Sequence, residues 1–369
     1  MKIKLIGNLQ TVMSNNDSYH NYFAWPTVTR LQNGKIAVVA SGFRLSHVCP
    51  FGKTVISYSE DEGNTYTSPA VVFDTPLDDR DGGILAFGEK NVIVTSLNRA
   101  PEFLKYRMSI GSGIPKENPM IQYRSAYLDS ISRQDVEKYH GSLFRFSSDC
   151  GVTFGEIYKC PISSPHGPTA LKDGSLIWIG RDFLNEENAK DEDVYLSVHK
   201  IYPDGHTELI GHVENITDDA GQILIGCEPH AIELDDGRII CHIRAEKTND
   251  THITLYQSYS DDKGITWSKP VKILDENGGA PSHILKHSSG VLVCTYGCRT
   301  NQFGIKAMIS KNNGEDWEDL GYLYVDEFTA DLGYPSTVEL GDNSLATVFY
   351  AHTDKDGPAV IVQQKWSFD

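Results

Sequence analysis

The sequence predicts an all-β fold, a six-bladed β-propeller built from four-stranded antiparallel blades. A hairpin pattern recurs six times along the chain, at a spacing of roughly 45–60 residues outside one longer interval. Glycine and tyrosine are abundant, at 32 and 18 residues, which favours strands and turns. An octapeptide pattern, Ser-x-Asp-x-Gly-x-Thr-aromatic, occurs at 59–66, 147–154 and 260–267, with a weaker copy at 310–317.

Each hairpin pattern consists of a proline or glycine corner, a strand, a tight turn and a second strand. The turns include Asn33-Gly34 and Asp236-Gly237, whose glycines supply the positive φ that a tight hairpin requires. A third strand then runs into the octapeptide, and a fourth strand follows it. The six units begin at Trp25, Asp81, His166, Glu228, Ala280 and Tyr334.

The whole chain, residues 1–369, is predicted to form one domain, because no linker or low-complexity tract divides it. The first strand, in "KIKLIGNL", is expected to pair with "AVIVQQKW" of the last unit and to close the ring. The longer interval holds an insertion at about 101–140, predicted to be a long loop with a short helix over one face. A pair of β-sandwiches is the alternative, but it gives no reason for a shared octapeptide.

The octapeptide is expected to build turns and to take no part in chemistry. Its aspartate can accept hydrogen bonds from nearby backbone amides, and its glycine adopts a conformation that other residues avoid. Copies spread around a ring cannot converge on one substrate. The weaker copy has Asn312 in the aspartate position, a change that a turn tolerates and a catalytic carboxylate does not.

The composition limits which partners and which cellular location are expected. The formal net charge of −17 argues against nucleic acid or an anionic membrane as the main partner. Seven scattered cysteines without CxxC spacing are interpreted as reduced, mostly buried thiols. The N-terminal "MKIKLIGNLQ" is typical of a strand and not of a signal peptide, so a cytoplasmic protein is expected. Neither a metal nor a cofactor is predicted, and the oligomeric state stays open.

Ligands of propellers gather where the inner strands begin and the second strands end. The ends of the predicted second strands carry six cationic or titratable residues: Arg44, Arg99, Arg181, Arg244, Arg299 and His352. A guanidinium group suits bidentate recognition of a carboxylate. In so acidic a chain, these arginines predict a site for a ligand that carries a carboxylate.

The octapeptide is the Asp box of the sialidase superfamily, and the whole chain resembles the six-bladed sialidase propeller. The resemblance implies an exo-glycosidase that releases a terminal acidic sugar, sialic acid, from glycoconjugates. Sialidases bind the substrate carboxylate with three arginines, and Arg244 in "CHIRAE" and Arg299 in "YGCRT" match the second and third. Arg44 in "ASGFR" matches a further arginine that touches the sugar. "FAWP" replaces the motif of the first arginine, and Trp25 is assigned to the arginine position.

The resemblance also implies a nucleophile and its base. Tyr334 in "LGYPS" matches the nucleophilic tyrosine of sialidases, and Glu228 in "GCEPH" matches the glutamate that polarises it. A phenol with a pKa near ~10 is a poor nucleophile and needs an adjacent base, which this pair supplies.

The general acid has more than one candidate. The loop "LSHVCPFGK" stands where sialidases carry the catalytic aspartate, and it contains no carboxylate. The sequence "PLDDRDGGI" places Asp79, Arg80 and Asp81 together at a strand start, where one carboxyl group can have a raised pKa. Asp81 or Asp79 is therefore predicted to be the acid/base, Arg80 is predicted to contact substrate, and His47 is the rival acid.

Two other functions remain open at this stage. One is a propeller glycoside hydrolase or lyase that acts on a different sugar, such as a uronic acid or a furanoside. The other is a non-catalytic propeller that binds carbohydrate. Convergence of the predicted residues on one pocket, with a Glu–Tyr hydrogen bond, favours an enzyme.

Overall fold

A computed structural model describes residues 1–111, 119–182, 195–247, 253–274, 278–279, 281–300 and 302–369. Within these ranges the strands form six antiparallel sheets, and the innermost strands of successive sheets contact one another around an axis. The six-bladed propeller is therefore confirmed. The predicted start of the fifth unit, Ala280, lies outside the described residues.

The first three blades follow one another along the chain. Blade 1 consists of β2 (Tyr22–Arg30), β3 (Ile36–Arg44), β4 (Lys53–Ser59) and β5 (Ala70–Phe73). Blade 2 consists of β6 (Asp78–Phe87), β7 (Asn91–Arg99), β8 (Gly141–Ser147) and β9 (Tyr158–Cys160). Blade 3 has a split inner strand and consists of β10 (Ile162–Ser163), β11 (Thr169–Ala170), β12 (Leu176–Asp182), β13 (Leu196–Ile201) and β14 (Thr207–Val213).

The last three blades complete the ring. Blade 4 carries one extra short strand and consists of β15 (Ile216–Thr217), β16 (Ile223–Glu233), β17 (Ile239–Glu246), β18 (Ile253–Ser260) and β19 (Val271–Lys272). Blade 5 consists of β20 (Ser282–Lys286), β21 (Leu292–Cys298), β22 (Phe303–Ser310) and β23 (Glu318–Asp326). Blade 6 consists of β24 (Gly333–Glu339), β25 (Leu345–His352), β26 (Ala359–Phe368) and β1 (Ile3–Met13).

The two chain ends join in blade 6. Strand β1 pairs antiparallel with β26, from Ile3 opposite Phe368 to Met13 opposite Ile361. This pairing confirms the predicted closure. Because the outer strand of the last blade comes from the start of the chain, opening the ring requires breaking this ladder.

The core lies between neighbouring blades, which pack face to face. The second strand β3, "IAVVASGFR", is buried along nearly its whole length, since both of its faces meet another sheet. One apolar cluster joins Val39 and Ile56 of blade 1 to Ile84 and Val94 of blade 2. This packing explains why the second strands appear in the sequence as continuous apolar runs.

The Asp boxes stabilise turns, as their pattern predicts. The Asp61 carboxylate accepts hydrogen bonds from the Thr65 backbone N–H at 2.8 Å, the Thr65 hydroxyl at 2.6 Å and the Ser59 hydroxyl at 2.8 Å. In the weaker copy, Asn312 Oδ1 accepts the Asp316 N–H at 3.0 Å in the same way. An amide oxygen can accept the same backbone hydrogen bond, so the box belongs to the scaffold.

The insertion is helical, which corrects the prediction of a long loop with one short helix. It contains α1 (Pro101–Gly111), α2 (Pro119–Ser130) and α3 (Arg133–Tyr139). The buried Arg124 of α2 donates hydrogen bonds to the Ser46 hydroxyl and the Val48 carbonyl, both at 3.0 Å. These bonds fix the insertion to the loop that follows β3. Among the helices of the described residues, none has the length and apolar character of a membrane span.

Candidate functional site

The inner strands begin with a strained residue at equivalent positions in five blades. Left-handed φ angles of 48° to 60° occur at Trp25, Asp81, His166, Glu228 and Tyr334, each followed by proline or glycine. The strand pairing shifts register beside four of them, so each forms a bulge that re-aims its side chain. Such backbone strain costs about 1–3 kcal/mol per residue and clusters at functional sites.

A cavity of about 400 Å³ opens beside these positions. Three of the strained residues line it: Asp81, Glu228 and Tyr334. Its other charged or titratable side chains include five arginines, one further carboxylate and one histidine: Arg80, Arg99, Arg107, Arg181, Arg244, Glu246 and His47. The cavity therefore gathers residues from blades 1, 2, 3, 4 and 6 and from helix α1.

Tyr334 and Glu228 form a hydrogen-bonded pair in this cavity. The Tyr334 hydroxyl donates to Glu228 Oε1. Glu228 Oε2 accepts from Arg244 Nη1 at 2.6 Å, and Arg244 Nη2 donates to Glu246 at 2.8 Å. The glutamate is thus fixed between the phenol and a guanidinium, in the geometry that a base needs to receive the phenolic proton.

The charges around this pair set its protonation. Burial disfavours the Glu228 carboxylate, but Arg244 and the Tyr334 hydrogen bond outweigh it, and they hold the pKa of Glu228 below its usual value. Burial, together with the negative charges of Glu228 and Asp81, raises the pKa of Tyr334 well above its usual value. In the unliganded site Tyr334 is therefore a neutral phenol beside an ionised glutamate.

Asp81 faces the same cavity in a different electrostatic environment. Burial raises its pKa, and Glu228 adds to that effect, while Arg80 and Arg99 oppose it. Its Oδ1 is buried and has no hydrogen-bond partner within the described part of the chain. A carboxyl group with a raised pKa and an unused oxygen beside a cavity can hold a proton and donate it to a ligand.

Asp79 lies away from the cavity, which corrects its prediction as an alternative acid. It is fully buried, and it accepts hydrogen bonds from the Thr75 N–H at 2.7 Å, the Thr75 hydroxyl at 3.0 Å and Asn98 at 2.7 Å. Burial raises the pKa of Asp79 to about 7 against these bonds. Through its bonds to Thr75, Asp79 fixes the loop before the strand.

Arg44 also belongs to the scaffold, which corrects its prediction as a substrate-binding residue. It is fully buried, and its two terminal nitrogens contact Asp78 at 2.5 and 3.0 Å. The same nitrogens donate to the Ser41 hydroxyl and the His47 carbonyl. A side chain at Gly52 would overlap this ion pair, so the chain uses glycine there.

Trp25 is buried beneath the site and does not line the cavity. Only 1% of it is exposed. This burial corrects the prediction that Trp25 contacts substrate. The guanidinium carbons of Arg80 and Arg44 lie 4.1 and 4.8 Å from its ring centre, where cation–π attraction holds them. Read letter by letter, "FAWP" places Ala24 opposite the motif's arginine, which corrects the assignment of Trp25 to that position.

Arg299 supports the predicted nucleophile and does not line the cavity. Its Nε and Nη2 donate to the Leu332 carbonyl at 3.0 and 2.9 Å, and Nη2 also donates to the Tyr350 hydroxyl at 3.1 Å. Its guanidinium carbon lies 5.6 Å from the centre of the Tyr334 ring. Arg299 therefore positions Tyr334 and the turn before it.

His47 lines the cavity within a cluster that sequence reasoning missed. Its Nδ1 lies 2.8 Å from Asp331 Oδ1, and Tyr22 donates to Asp331 Oδ2 at 2.8 Å. Tyr350 and His352 contact the same carboxylate at 3.1 and 3.3 Å. Burial lowers the pKa of His47, although the hydrogen bond and charge of Asp331 oppose this.

Two charged cavity residues, Arg107 and Glu246, were not predicted from the sequence, whereas Arg99 and Arg181 were predicted as members of the arginine ring. Arg99 and Arg181 were signalled by their place at the ends of second strands, and Glu246 by its place two residues after Arg244. Arg107 reaches the cavity from α1. No sequence pattern predicts which residues of an insertion turn towards a site.

Three histidines meet near the axis. The rings of His166, His230 and His283 have centroids 4.2 to 5.6 Å apart, and all three are buried to at least an intermediate degree. His230 Nδ1 accepts the Ile284 N–H at 3.0 Å, and His283 Nδ1 accepts the Thr337 N–H at 3.3 Å. These backbone bonds fix the proton of the neutral His230 and His283 rings on Nε2.

Sequence comparison assigns the family. The pattern of the family described as "BNR repeat-like domain" matches residues 134–347, more than half of the chain. The chain belongs to this family. A search of curated protein sequences gave no match.

Solved structures extend the likeness over the whole chain at low identity. A protein of unknown function from Dyadobacter fermentans has a TM-score of 0.74 and 18% identity, with 100% of this chain and 99% of that chain covered. The intramolecular trans-sialidase of Ruminococcus gnavus, in complex with oseltamivir carboxylate, has a TM-score of 0.62 and 14% identity, with 98% and 97% covered.

A third solved structure is of an enzyme named for a different sugar. The α-L-arabinanase of Penicillium chrysogenum, complexed with arabinobiose, has a TM-score of 0.62 and 12% identity, with 98% of each chain covered. Sialidase-like and arabinan-cleaving propellers therefore share this fold. The resemblance to the sialidase propeller is confirmed as a fold, in a divergent member.

Proposed function

We propose that the protein is an exo-acting glycoside hydrolase that removes a terminal acidic sugar from a glycoconjugate. The observation that carries the proposal is the Tyr334–Glu228 hydrogen bond inside a cavity that Asp81 also lines. A binding protein has no need of a phenol paired with an ionised carboxylate, nor of a third carboxyl group with a raised pKa beside them. The backbone strain at all three residues supports the same conclusion.

The first chemical step follows from the protonation of the unliganded site. The Tyr334 oxygen attacks the anomeric carbon while its proton passes to Glu228, and the bond from that carbon to the leaving oxygen breaks. Asp81 gives its proton to the leaving oxygen, so the aglycone departs as a neutral alcohol. The products of this step are a tyrosyl glycoside and two changed carboxyl groups, Glu228 protonated and Asp81 ionised.

The second step returns the enzyme to its starting state. Asp81, now a carboxylate, takes a proton from a water molecule whose oxygen attacks the anomeric carbon. The bond to Tyr334 breaks, and Glu228 returns its proton to the phenolate. Two displacements at one carbon give retention of configuration. His47 and Arg80 line the same cavity and are assigned to substrate contact.

Two acidic sugars are candidates. Sialic acid is the substrate that the resemblance implies, with the match at Arg244 as its support. A uronic acid is favoured by a specific observation: Arg244 and Arg299, which match two arginines of the sialidase triad, already bond to protein groups. Both sugars carry the carboxylate that a cavity lined by five arginines suits.

The test is a screen of the purified protein with fluorogenic aryl glycosides, comparing α-sialosides, uronides and neutral sugars. We expect hydrolysis of an acidic sugar, with retention of configuration in the first-formed product by NMR. Hydrolysis of neutral sugars alone, or of no glycoside while the Tyr334–Glu228 pair is intact, would contradict the proposal.

A further inference from the structure

Asp331, in the loop before β24, contacts His47 at one edge of the imidazole ring. His47 Nδ1 lies 2.8 Å from Asp331 Oδ1 and 3.1 Å from the Tyr22 hydroxyl oxygen. Tyr22 donates its own proton to Asp331 Oδ2 at 2.8 Å, so its oxygen is left to accept from Nδ1. An ionised carboxylate also only accepts. Both contacts therefore place a proton on Nδ1 of His47.

The groups around Asp331 hold it as a carboxylate. Its Oδ1 also accepts from the Tyr350 hydroxyl at 3.1 Å, and its Oδ2 lies 3.3 Å from His352 Nε2. Burial disfavours the charge, but hydrogen bonds, those from His352 and His47 foremost, outweigh it and hold the pKa of Asp331 below its usual value. The carboxylate therefore keeps no proton that it could give to His47.

The other nitrogen of the His47 ring, Nε2, is left to the cavity. His47 lines the cavity, whereas its partners Asp331 and Tyr22 do not, and 38% of the His47 side chain is exposed. Among the described residues, none forms a hydrogen bond with Nε2. Burial lowers the pKa of His47 although Asp331 opposes this. A second proton, on Nε2, is therefore disfavoured, and this nitrogen carries a lone pair.

An uncharged hydrogen-bond acceptor in this cavity suits a sugar. The arginine side chains that line the cavity can only donate, and Glu228 is already bonded to Tyr334 and Arg244. A sugar hydroxyl that binds among these groups needs an acceptor for its own proton, because a buried unpaired donor costs free energy. His47 Nε2 supplies one without adding a negative charge to the cavity.

We propose that Asp331 is a positioning residue for His47: it fixes the proton on Nδ1, so that Nε2 accepts a hydrogen bond from a hydroxyl group of the bound sugar. The ligand that follows is a sugar with a free hydroxyl group at this place, since an ether oxygen or a deoxy carbon gives Nε2 nothing to accept. The contact with a sugar rests on the proposed function. The position of the proton does not, because the contacts of Asp331 and Tyr22 set it.

The test is NMR spectroscopy of the ring nitrogens, in full-length protein with ¹⁵N-labelled histidine and in mildly alkaline buffer. The chemical shift of a ring nitrogen distinguishes one that carries a proton from one that carries a lone pair. The variant His47→Gln identifies the His47 signals by their loss. We expect a protonated Nδ1 and an unprotonated Nε2 in wild type. The opposite tautomer, or a proton on both nitrogens, would overturn the proposal.

Two substitutions of Asp331 separate its role from that of its surroundings. Asp331→Ala removes the acceptor and frees the Tyr22 proton for Nδ1, so we expect the His47 proton to move to Nε2. Asp331→Asn should keep the wild-type tautomer. His352 Nδ1 donates to the Gly357 carbonyl at 2.8 Å, so its Nε2 can accept from the new amide nitrogen, which leaves the amide oxygen towards His47. An unchanged tautomer in Asp331→Ala contradicts the positioning role.

The matched control is Asp326→Ala, at the other end of the same loop. The Asp326 carboxylate accepts the N–H groups of Phe328 and Thr329 at 2.7 and 3.1 Å. This variant disturbs the loop and leaves Asp331 in place, so the His47 tautomer should stay that of wild type. A change of tautomer here would assign the effect to the loop and overturn the role of Asp331. Thermal unfolding followed by circular dichroism checks that each variant folds.

The contact with sugar is tested by adding N-acetylneuraminate or D-glucuronate to the labelled wild-type protein. We expect at least one of them to shift the Nε2 signal while Nδ1 stays protonated, and its affinity to fall about three- to tenfold in Asp331→Ala but not in Asp326→Ala. A proton on both nitrogens would mean that His47 donates to the ligand carboxylate, and would overturn the proposal. An Nε2 signal that neither acid changes would overturn it too.

The two proposals fail separately. If Nε2 responds to a sugar acid and the protein cleaves no glycoside, the proposed function fails and the contact of His47 stands. If the protein cleaves an aryl glycoside with the same KM in wild type and Asp331→Ala, the role of Asp331 fails and the hydrolase stands.

Discussion

The hydroxyl of Tyr334 donates a hydrogen bond to Glu228 across two blades that are not neighbours in the ring. Tyr334 begins the inner strand of blade 6, Glu228 lies in the inner strand of blade 4, and blade 5 stands between them. The contact exists because both residues sit at left-handed bulges, with φ of 51° and 50°, that turn them over the axis. The Tyr334–Glu228 pair is thus a product of blade geometry.

Replacement of Tyr334 by phenylalanine tests the nucleophile. Tyr334→Phe removes only the oxygen that attacks, so we expect kcat/KM to fall by at least about 10³-fold while the fold is kept. The measurement is hydrolysis of the best aryl glycoside from the screen. Tyr202→Phe is the matched control. That tyrosine lies in blade 3, does not line the cavity, and donates a hydrogen bond to the exposed Glu208. Retention of most activity in Tyr334→Phe would contradict the assignment.

The general acid is tested through the leaving group. In Asp81→Asn no proton can be given to the departing oxygen, so we expect a loss of about 10²–10⁴-fold with poor leaving groups. Aryl glycosides whose phenols have a low pKa need little protonation and should lose far less. Asp79→Asn is the comparison: it alters the buried bonds to Thr75 and Asn98 and should lower stability with the leaving-group dependence unchanged. Equal losses for all leaving groups in Asp81→Asn would exclude Asp81 as the acid.

The pH profile of kcat/KM follows from the same two carboxyl groups. Glu228 must be ionised, and its pKa is lowered, so activity rises with pH through a value below that of an ordinary glutamate. Asp81 must be protonated, and its pKa is raised, so activity falls with pH through a value above that of an ordinary aspartate. We expect a bell between these limits, and loss of the alkaline limb in Asp81→Asn. An alkaline limb that survives this change would belong to another group, with His47 the first to test.

An Asp box is expected to affect stability without affecting catalysis. In Asp262→Ala the turn loses the bonds from the Thr266 N–H at 2.8 Å and the Thr266 hydroxyl at 2.6 Å, a cost of about 1–3 kcal/mol in unfolding free energy. Asp261→Ala, in the same turn, is the matched control and should be neutral. Urea denaturation gives both values, and kcat/KM should stay at the wild-type level in each.

The repeated elements of this protein were predictable from sequence because they are repeated. The hairpin turns, the Asp boxes and the inner-strand starts recur in register, so one correct blade locates the equivalent residues in the others. This reasoning found Tyr334, Glu228 and Asp81, and the structure brings all three to one cavity. It failed where equivalent positions differ in burial, as at Arg44, which pairs with Asp78 inside blade 1.

Contacts between elements distant in sequence were not predictable. Asp331 gathers His47, Tyr22 and His352 from blades 1 and 6, and no spacing along the chain records that meeting. Arg107 reaches the cavity from an insertion that the hydrogen bonds of Arg124 fix to the loop after β3. A helix inserted once has no counterpart elsewhere in the chain from which its orientation could be read.

The buried ion pair of Arg44 and Asp78 tests whether Arg44 stabilises the fold or binds substrate. Both side chains are fully buried, 2.5 Å apart at their closest atoms. Arg44→Met leaves the Asp78 carboxylate buried with only the long 3.6 Å contact to Arg80, so we expect unfolding free energy to fall by about 3–5 kcal/mol. Asp78→Leu leaves the Arg44 guanidinium buried without its carboxylate partner, and we expect a similar loss of unfolding free energy.

The double variant Arg44→Met/Asp78→Leu removes both charges together. Because an apolar pair of similar volume needs no desolvation of ions, we expect it to recover most of the lost stability in urea denaturation. Its KM should then match that of wild type, since Arg44 does not line the cavity. A double variant that is as stable as wild type but has a tenfold higher KM would return Arg44 to the substrate site, where the resemblance to sialidases first assigned it.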